Sequence, residues 1–173
     1  MKRRVPIFWL IPARDAKELL ADIIGILSGQ LKAPAFEPHL TLFAARTSTQ
    51  SAVSALHQID FTPVRLNVHH VAFSAKFTKT LFVCFEPNQA LRKLLAALAR
   101  ATDSRETSLR DPHVSLLYKK LPASVKKELA STIRLPFRKV TFDLLKVVSC
   151  KSPTQTASDV RGWRPLAAKR LSR

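Results

Sequence analysis

The segment EPHLTLF (residues 37–43) is nearly repeated by DPHVSLL (residues 111–117). At six of the seven positions the two segments are identical or exchange similar residues: acid for acid, hydroxyl for hydroxyl, aliphatic for aliphatic. Each segment contains a histidine, His39 or His113, and these lie 74 residues apart. This repetition predicts a duplicated chain, in which other segments should match at the same offset.

The same offset aligns the segments that precede the two histidines. The apolar runs IFWLI (residues 7–11) and LFVCF (residues 81–85) match each other and are typical of strands. Each run is followed by apolar residues at helical spacing, in residues 15–24 and 88–98. Asp15 and Asn88 are the predicted N-caps of these helices.

The parallel continues after the histidine segments. A second helix is predicted in each copy, at SAVSAL (51–56) and SVKKEL (124–129), and then a last strand, at RLNVHHVAF (65–73) and KVTFDLLKV (139–147). The repeated unit is therefore strand, helix, histidine strand, helix, strand. We predict a single α+β domain of two similar lobes, approximately residues 1–74 and 75–173, related by a pseudo-two-fold axis. Strands can exchange between the lobes, and the tail AKRLSR (168–173) is predicted to be a frayed basic end.

Strand periodicity predicts which side chains accompany each histidine. His39, Thr41 and Phe43 should share one face, because alternate residues of a strand point the same way. By the same alternation His113, Ser115 and Leu117 should share a face in the second copy. Two-fold symmetry can bring the two faces together across a cleft, with one imidazole and one hydroxyl from each lobe.

Two histidines and two hydroxyls suit transfer at a phosphodiester. One imidazole can take a proton from the attacking water while the other gives a proton to the leaving oxygen, because both protonation states are accessible near neutral pH. Thr41 and Ser115 can donate hydrogen bonds to the non-bridging phosphate oxygens. His57, His69 and His70 have no such repeated partners, and we interpret them as structural or surface residues.

Other site chemistries fit the sequence less well. Two histidines without an evident carboxylate or thiol do not complete a metal site, so we predict no metal and no cofactor. A serine hydrolase is disfavoured because the chain lacks G-x-S-x-G and has only three glycines. Cys84 and Cys150 lie in or beside apolar runs, which indicates buried free thiols rather than a disulfide framework.

The charge balance points to an anionic partner. The 173 residues include 29 Lys and Arg against 12 Asp and Glu, a net charge of +17, which favours RNA, nucleotides or another polyanion. Arg46, Lys119 and Lys120 closely follow the two motifs, and two interpretations stay open for them: they line the mouth of the cleft, or they are solvated strand ends. The basic, apolar N-terminus resembles a signal peptide, but Pro6 and Pro12 interrupt it and no stretch is long enough to span a membrane. We expect a cytoplasmic monomer that does not bind membranes.

HLT (39–41) and HVS (113–115) resemble the paired H-x-T/S motifs of the 2H phosphoesterase superfamily. FEPHLTL, DPHVSLLY and KVVSCKS (146–152) followed by Trp163 most resemble its cyclic phosphodiesterase branch. The resemblance implies antiparallel sheets with helices on the outer faces and a central cleft. It also implies metal-independent opening of 2′,3′-cyclic phosphates, or of ADP-ribose 1″,2″-cyclic phosphate.

By motif matching, His39 and His113 carry the acid–base chemistry, and Thr41, Ser115 and Tyr118 contact substrate. Strict alternation places Tyr118 on the opposite face from His113, so its implied role requires a β-bulge or a strand end. The implied partner is a nucleotide with a cyclic phosphate or an RNA 3′ end. A 2′–5′ RNA ligase-like enzyme and a non-catalytic basic RNA-binding module remain the alternatives.

Overall fold

A computed structural model describes residues 2–105 and 109–172. Its strands are β1 (Arg3–Pro12), β2 (Leu40–Ala44), β3 (Val64–Phe73), β4 (Leu81–Phe85), β5 (His113–Leu117), β6 (Lys139–Ser152) and β7 (Arg164–Arg170). Its helices are α1 (Arg14–Leu31), α2 (Thr49–Gln58), α3 (Gln89–Ala101), α4 (Ala123–Thr132) and α5 (Ala157–Arg161), with a short 3₁₀ helix at Phe77–Lys79. The predicted α+β class and every predicted strand and helix are confirmed.

All seven strands form one antiparallel sheet in the order β1-β2-β5-β4-β3-β6-β7. An additional pairing of β1 with β6 joins the first strand of this row to the sixth. The two histidine strands, β2 and β5, are therefore neighbours within a ring of six paired strands. Strand β6 pairs with both β1 and β3, while the boundary between two lobes near residue 74 stays a prediction.

The two faces of β1 have different surroundings. Phe8 and Leu10 join the main core, which the helices complete with residues such as Leu20, Leu56 and Leu94. The opposite face of β1 contributes to a smaller cluster, made of Trp9, Ile11, Val148 and Cys150 with Ile7, Leu144 and Trp163 packed against it. The N-terminal apolar run is thus a buried strand, as the repeat predicts, and no described helix is long and apolar enough to cross a membrane.

Two local expectations were wrong. Asp15 is not the N-cap of α1: Ala13 occupies that position without a side-chain hydrogen bond, and Asp15 lies in the first turn, where its charge favours the helix dipole. The tail is not frayed, because Arg164–Arg170 pairs with β6 and Leu171 is buried, whereas Arg173 lies outside the described residues. Asn88 is confirmed as an N-cap, accepting a hydrogen bond from the backbone N–H of Leu91 at 3.0 Å.

Candidate active site

β-Bulges in both histidine strands decide which residues face the site. The consecutive residues Phe8 and Trp9 of β1 pair with Phe43 and Thr41 of β2, so Leu42 is an extra residue without a partner in β1. In β5 the pairing with β4 passes from Leu117 to Ser115, which leaves Leu116 as the extra residue, 74 positions later. The prediction that Phe43 shares a face with His39, and Leu117 with His113, is therefore wrong. The bulges turn both side chains into the main core.

The second bulge also resolves the position of Tyr118. Because Leu116 and Leu117 both point into the core, the alternation is reset and Tyr118 faces the same cavity as His113 and Ser115. The bulge required by the resemblance is thus present. The equivalent bulge in the first copy is followed by Ala44, so the first copy has no counterpart of the Tyr118 ring.

The pairing of β2 with β5 sets the two motifs against each other. Leu40 lies opposite Val114, and both side chains are buried in the core. Continuing this antiparallel register by one residue places Thr41 opposite His113, and His39 opposite Ser115, on the other face. Each imidazole thus has the hydroxyl of the other copy as its cross-strand neighbour.

These side chains line a cavity of about 310 Å³. All five residues predicted for the site take part in its wall, so the structure brings them together: His39, Thr41, His113, Ser115 and Tyr118. The rest of the wall comes from strands β1 and β6, from the 3₁₀ helix and from the loops on either side of α5, and it includes Trp9, Thr78, Cys150, Thr154 and Trp163. The cavity is large enough to enclose a phosphate and an attached ribose.

His39 is held tightly. It is 4% exposed, its ring stacks on Trp9 with centroids 3.7 Å apart, and Trp163 approaches edge-on at 5.5 Å. Its Nδ1 donates a hydrogen bond to the carbonyl oxygen of Glu37 at 2.6 Å, since a carbonyl can only accept. The neutral ring therefore carries its proton on Nδ1 and leaves Nε2 as the basic nitrogen.

His113 is held in the same way but is less buried. Its Nδ1 donates to the carbonyl oxygen of Asp111 at 2.9 Å, again two residues earlier, and Phe82 packs edge-on against the ring. A buried proline separates acid and histidine in both copies, and proline restricts the residue before it to extended conformations. The repeated acid-Pro-His segment is thus a device that orients one imidazole tautomer.

The environment lowers the pKa of both imidazoles. Burial lowers the pKa of His39 to about 4, against the opposing effect of the hydrogen bond to Glu37, and a nearby His113 charge lowers it further. Burial also lowers the pKa of His113, while the hydrogen bond to Asp111 raises it. At neutral pH the neutral form is therefore favoured most strongly at His39.

Each orienting carbonyl belongs to an acid that is itself ion-paired. The carboxylate of Glu37 accepts hydrogen bonds from Lys17 and Lys146. Burial opposes its ionisation, but these two ammonium groups prevail and lower the pKa of Glu37. In the second copy the carboxylate of Asp111 pairs with Lys79. The acid that the motif repeats thus anchors the loop in front of each histidine.

The two hydroxyls differ in their present partners. The Ser115 hydroxyl donates a hydrogen bond to the carbonyl oxygen of Thr78 at 2.8 Å. Within the described chain Thr41 makes no side-chain hydrogen bond, and its hydroxyl borders the cavity. Thr41 can therefore donate to a bound anion directly, whereas Ser115 must first release Thr78.

Aromatic rings form the rest of the site. Tyr118, 4% exposed, stacks on Phe36 with centroids 4.0 Å apart, and Trp163 meets both rings edge-on. Sequence reasoning did not assign Trp9 or Phe36 to the site. For Trp9 a signal was available, because the 74-residue offset matches this tryptophan with Val83, which marks it as an asymmetric feature of an otherwise similar strand.

The remaining sequence candidates lie outside the cavity. Lys119 and Lys120 line a separate groove that borders Tyr118, and Arg46 lines another with Arg3. His57, His69 and His70 do not contribute to the cavity wall. Cys84 and Cys150 are buried free thiols, as predicted.

Two other chemistries can be assessed from the side chains present. Burial raises the pKa of Cys150 to about 12, so this thiol on the cavity wall is neutral at neutral pH and a poor nucleophile. Within residues 2–105 and 109–172, no group of three or more His, Cys, Asp or Glu side chains is arranged to hold a metal ion.

Comparisons with known proteins agree with the fold. Residues 27–151 match the family model of the 2′-5′ RNA ligase superfamily. The structure is similar to Escherichia coli LigT in its apo form (TM-score 0.60, 18% identity, covering 100% of both chains). LigT complexed with 3′-AMP gives a TM-score of 0.59 at 13% identity, over 98% of this chain and 99% of LigT.

A crystal structure from Thermus thermophilus has a TM-score of 0.59 at 14% identity, over 96% of this chain and 97% of that one. At such identities the likeness establishes the fold alone. Comparison with curated protein sequences gives no match.

Proposed function

The chain belongs to the 2′-5′ RNA ligase superfamily of 2H phosphoesterases, and we propose that it hydrolyses a 2′,3′-cyclic phosphate, or ADP-ribose 1″,2″-cyclic phosphate, to a phosphomonoester. One observation carries this proposal. Two imidazoles with the same tautomer, each opposite the other copy's hydroxyl, line a single cavity. Binding alone needs positive charge but has no use for two matched proton carriers.

His39 is the proposed general base. Its Nδ1 proton is committed to the Glu37 carbonyl, so Nε2 is available to accept a proton from water. Burial keeps this ring neutral at neutral pH, and the Trp9 stack limits its rotation. The water oxygen then forms a bond to phosphorus as its proton passes to Nε2.

His113 is the proposed general acid. It is less buried than His39, so burial disfavours its protonated ring less, and its hydrogen bond to the Asp111 carbonyl opposes the lowering of its pKa. As the bond from phosphorus to the ribose oxygen breaks, Nε2–H of His113 gives its proton to that oxygen. The sum of the two transfers is addition of one water across the P–O bond, and each transfer contributes roughly 10²–10⁴-fold in rate.

Thr41 and Ser115 are the proposed phosphate-binding hydroxyls, because each lies beside an imidazole on the cavity wall. Hydrogen bonds to the non-bridging oxygens stabilise the negative charge that grows in the transition state. The Tyr118 ring, stacked on Phe36, is the proposed contact for the ribose or base. LigT is seen with 3′-AMP, a phosphomonoester of the class expected as product.

The proposal is tested with purified protein in EDTA and a panel of adenosine 2′,3′-cyclic phosphate, ADP-ribose 1″,2″-cyclic phosphate and short RNA ending in a cyclic phosphate. The expected result is a monoester, observed by ³¹P NMR, that contains one ¹⁸O atom when the reaction is run in labelled water. If the product is instead a 2′–5′ phosphodiester formed with an added 5′-hydroxyl RNA, the chain is a ligase. Salt-sensitive RNA binding without turnover of any cyclic phosphate would identify a binding module.

A further inference from the structure

A second, smaller groove lies beside the candidate active site. It has a volume of about 210 Å³, and its wall includes Lys32, Phe77, Tyr118, Lys119, Lys120 and Gln155. Tyr118 also lines the cavity of the two histidines, so one ring separates the two spaces. No acidic side chain contributes to the described wall of the groove.

The three lysines of the groove have different roles. The Lys119 ammonium donates to the carbonyl oxygen of Leu31 at the end of α1, so it is already engaged. Lys32 and Lys120 are exposed, and within the described chain neither ammonium has an ion-pair partner. Two cations thus face a groove that offers them no counter-charge.

The backbone at Lys32 is unusual for its residue type. Lys32 ends α1 in the left-handed region, at φ 51° and ψ 48°, a conformation that glycine adopts more readily. Lysine at this position has a strained backbone and places a long cationic side chain on the wall of the groove. Residues held in such conformations are concentrated at functional sites.

We propose that this groove binds a phosphoryl group on the 5′ carbon of the same ribose whose cyclic phosphate lies between His39 and His113. The inference rests on the proposed function. The cavity and the groove lie on either side of Tyr118, so a ribose over this ring can place its cyclic phosphate in the cavity and its 5′-phosphate in the groove. Lys32 and Lys120 then supply the counter-charges. RNA ends and ADP-ribose 1″,2″-cyclic phosphate both carry phosphorus at this carbon, so the shared ligand is a 5′-phosphorylated ribose cyclic phosphate.

The matching position in the first copy differs. Arg46 corresponds to Lys120 at the 74-residue offset and lines a groove with Arg3, Val5, Ala44, Ala45 and Ser152. That groove has no aromatic wall, because Ala44 stands where the second copy has Tyr118. Arg46 therefore provides a matched control of the same charge on the opposite side of the site.

The test compares two probes that differ by one phosphate: adenosine 2′,3′-cyclic phosphate with and without a 5′-phosphate. An exposed ion pair contributes at most about 1 kcal/mol, or about fivefold, so two lysines should raise kcat/KM for the 5′-phosphorylated probe several-fold, up to about 25-fold. In the double variant Lys32→Gln/Lys120→Gln this ratio should fall below about threefold. In Arg46→Gln it should remain at the wild-type value.

A binding measurement separates this inference from the proposed function. Calorimetry with adenosine 3′,5′-bisphosphate and with 3′-AMP should show the same preference and the same dependence on Lys32 and Lys120, whether or not any cyclic phosphate is hydrolysed. Lysine-dependent binding without turnover would support a phosphate-binding groove and contradict the proposed hydrolase activity. Turnover with equal kcat/KM for the two probes, or a preference for the 5′-phosphate that is lost only in Arg46→Gln, would contradict the phosphate-binding groove and support the hydrolase activity.

The source of the 5′-phosphoryl group is resolved with two further probes, a dinucleotide ending in a cyclic phosphate and ADP-ribose 1″,2″-cyclic phosphate. The probe whose kcat/KM falls more in the double lysine variant is the better match to the groove, and a fall for either supports the inference. No change for both probes would contradict it.

Discussion

Neutralising Glu37 should destabilise the protein more than neutralising its counterpart Asp111. Glu37 accepts hydrogen bonds from both Lys17 and Lys146, and the side chains of Glu37 and Lys146 are only 28% and 13% exposed. Asp111 has one described partner, Lys79, and its own side chain is 53% exposed. The substitutions Glu37→Gln and Asp111→Asn therefore remove the same charge from equivalent places of different burial.

The expected magnitudes follow from that burial. Exposed ion pairs contribute about 0–1 kcal/mol, whereas removing one partner of a fully buried pair costs about 3–5 kcal/mol. The Glu37 pair lies between these limits, so Glu37→Gln should lower the free energy of unfolding by about 1–2 kcal/mol because Lys146 loses its counter-charge. Asp111→Asn should lower it by less than about 1 kcal/mol.

Urea denaturation at pH 7 measures both changes. The pKa of Glu37 is lowered by folding, so its contribution is present above the pKa of the unfolded carboxyl and is lost as the pH falls through the folded pKa. The difference between wild type and Glu37→Gln should accordingly shrink on acidification. An Asp111→Asn effect as large as that of Glu37→Gln, or a difference that stays constant with pH, would refute this reasoning.

Three further predictions concern single residues. Burial lowers the pKa of His39 to about 4, so folding favours the neutral ring. As the pH falls from about 6.5, the pKa of an unfolded histidine, to 4, the free energy of unfolding should decrease by up to about 3 kcal/mol. Urea denaturation at several pH values should show a smaller decrease in His39→Gln. Thr41→Val should lower kcat by about 10²-fold, and Ser115→Ala by less than about 10-fold, since Thr41 alone has an uncommitted hydroxyl; steady-state kinetics with the cyclic phosphate decides, and an equal loss would argue against the difference. Asn88→Ala should destabilise by about 1 kcal/mol through loss of the N-cap, and Asp15→Ala by less than half of that, as denaturation midpoints will show.

The order of elements was predictable because the same succession of strand and helix patterns occurs in both copies of the repeat. The run LFVCF matches β4 in both bounds, the second histidine segment contains β5, and β2 extends one residue beyond the first histidine segment. The last strand was missed because RPLAAKR is mostly exposed and has no apolar alternation. It is held by pairing with β6, and such pairing between distant segments leaves no local signal.

The site was predictable as far as local periodicity reaches. His39 and Thr41 share a face, as expected, but a bulge at Leu42 turns Phe43 into the core. Whether a strand contains an extra residue depends on its neighbour in the sheet, so alternation within one strand does not reveal it. The stacking of Trp9 on His39 depends likewise on the pairing of β1 with β2, which only the assembled sheet provides.

The central claim is that one imidazole from each copy carries a proton during a single displacement at phosphorus. Its most direct measurement is kcat for adenosine 2′,3′-cyclic phosphate in EDTA, for wild type, His39→Ala and His113→Ala, with Arg46→Gln as a control on the neighbouring surface. Each histidine variant should lose roughly 10²–10⁴-fold while folding normally, and the control should keep wild-type activity. A histidine variant that keeps more than about a tenth of wild-type turnover would contradict the claim, because one proton carrier would then be dispensable.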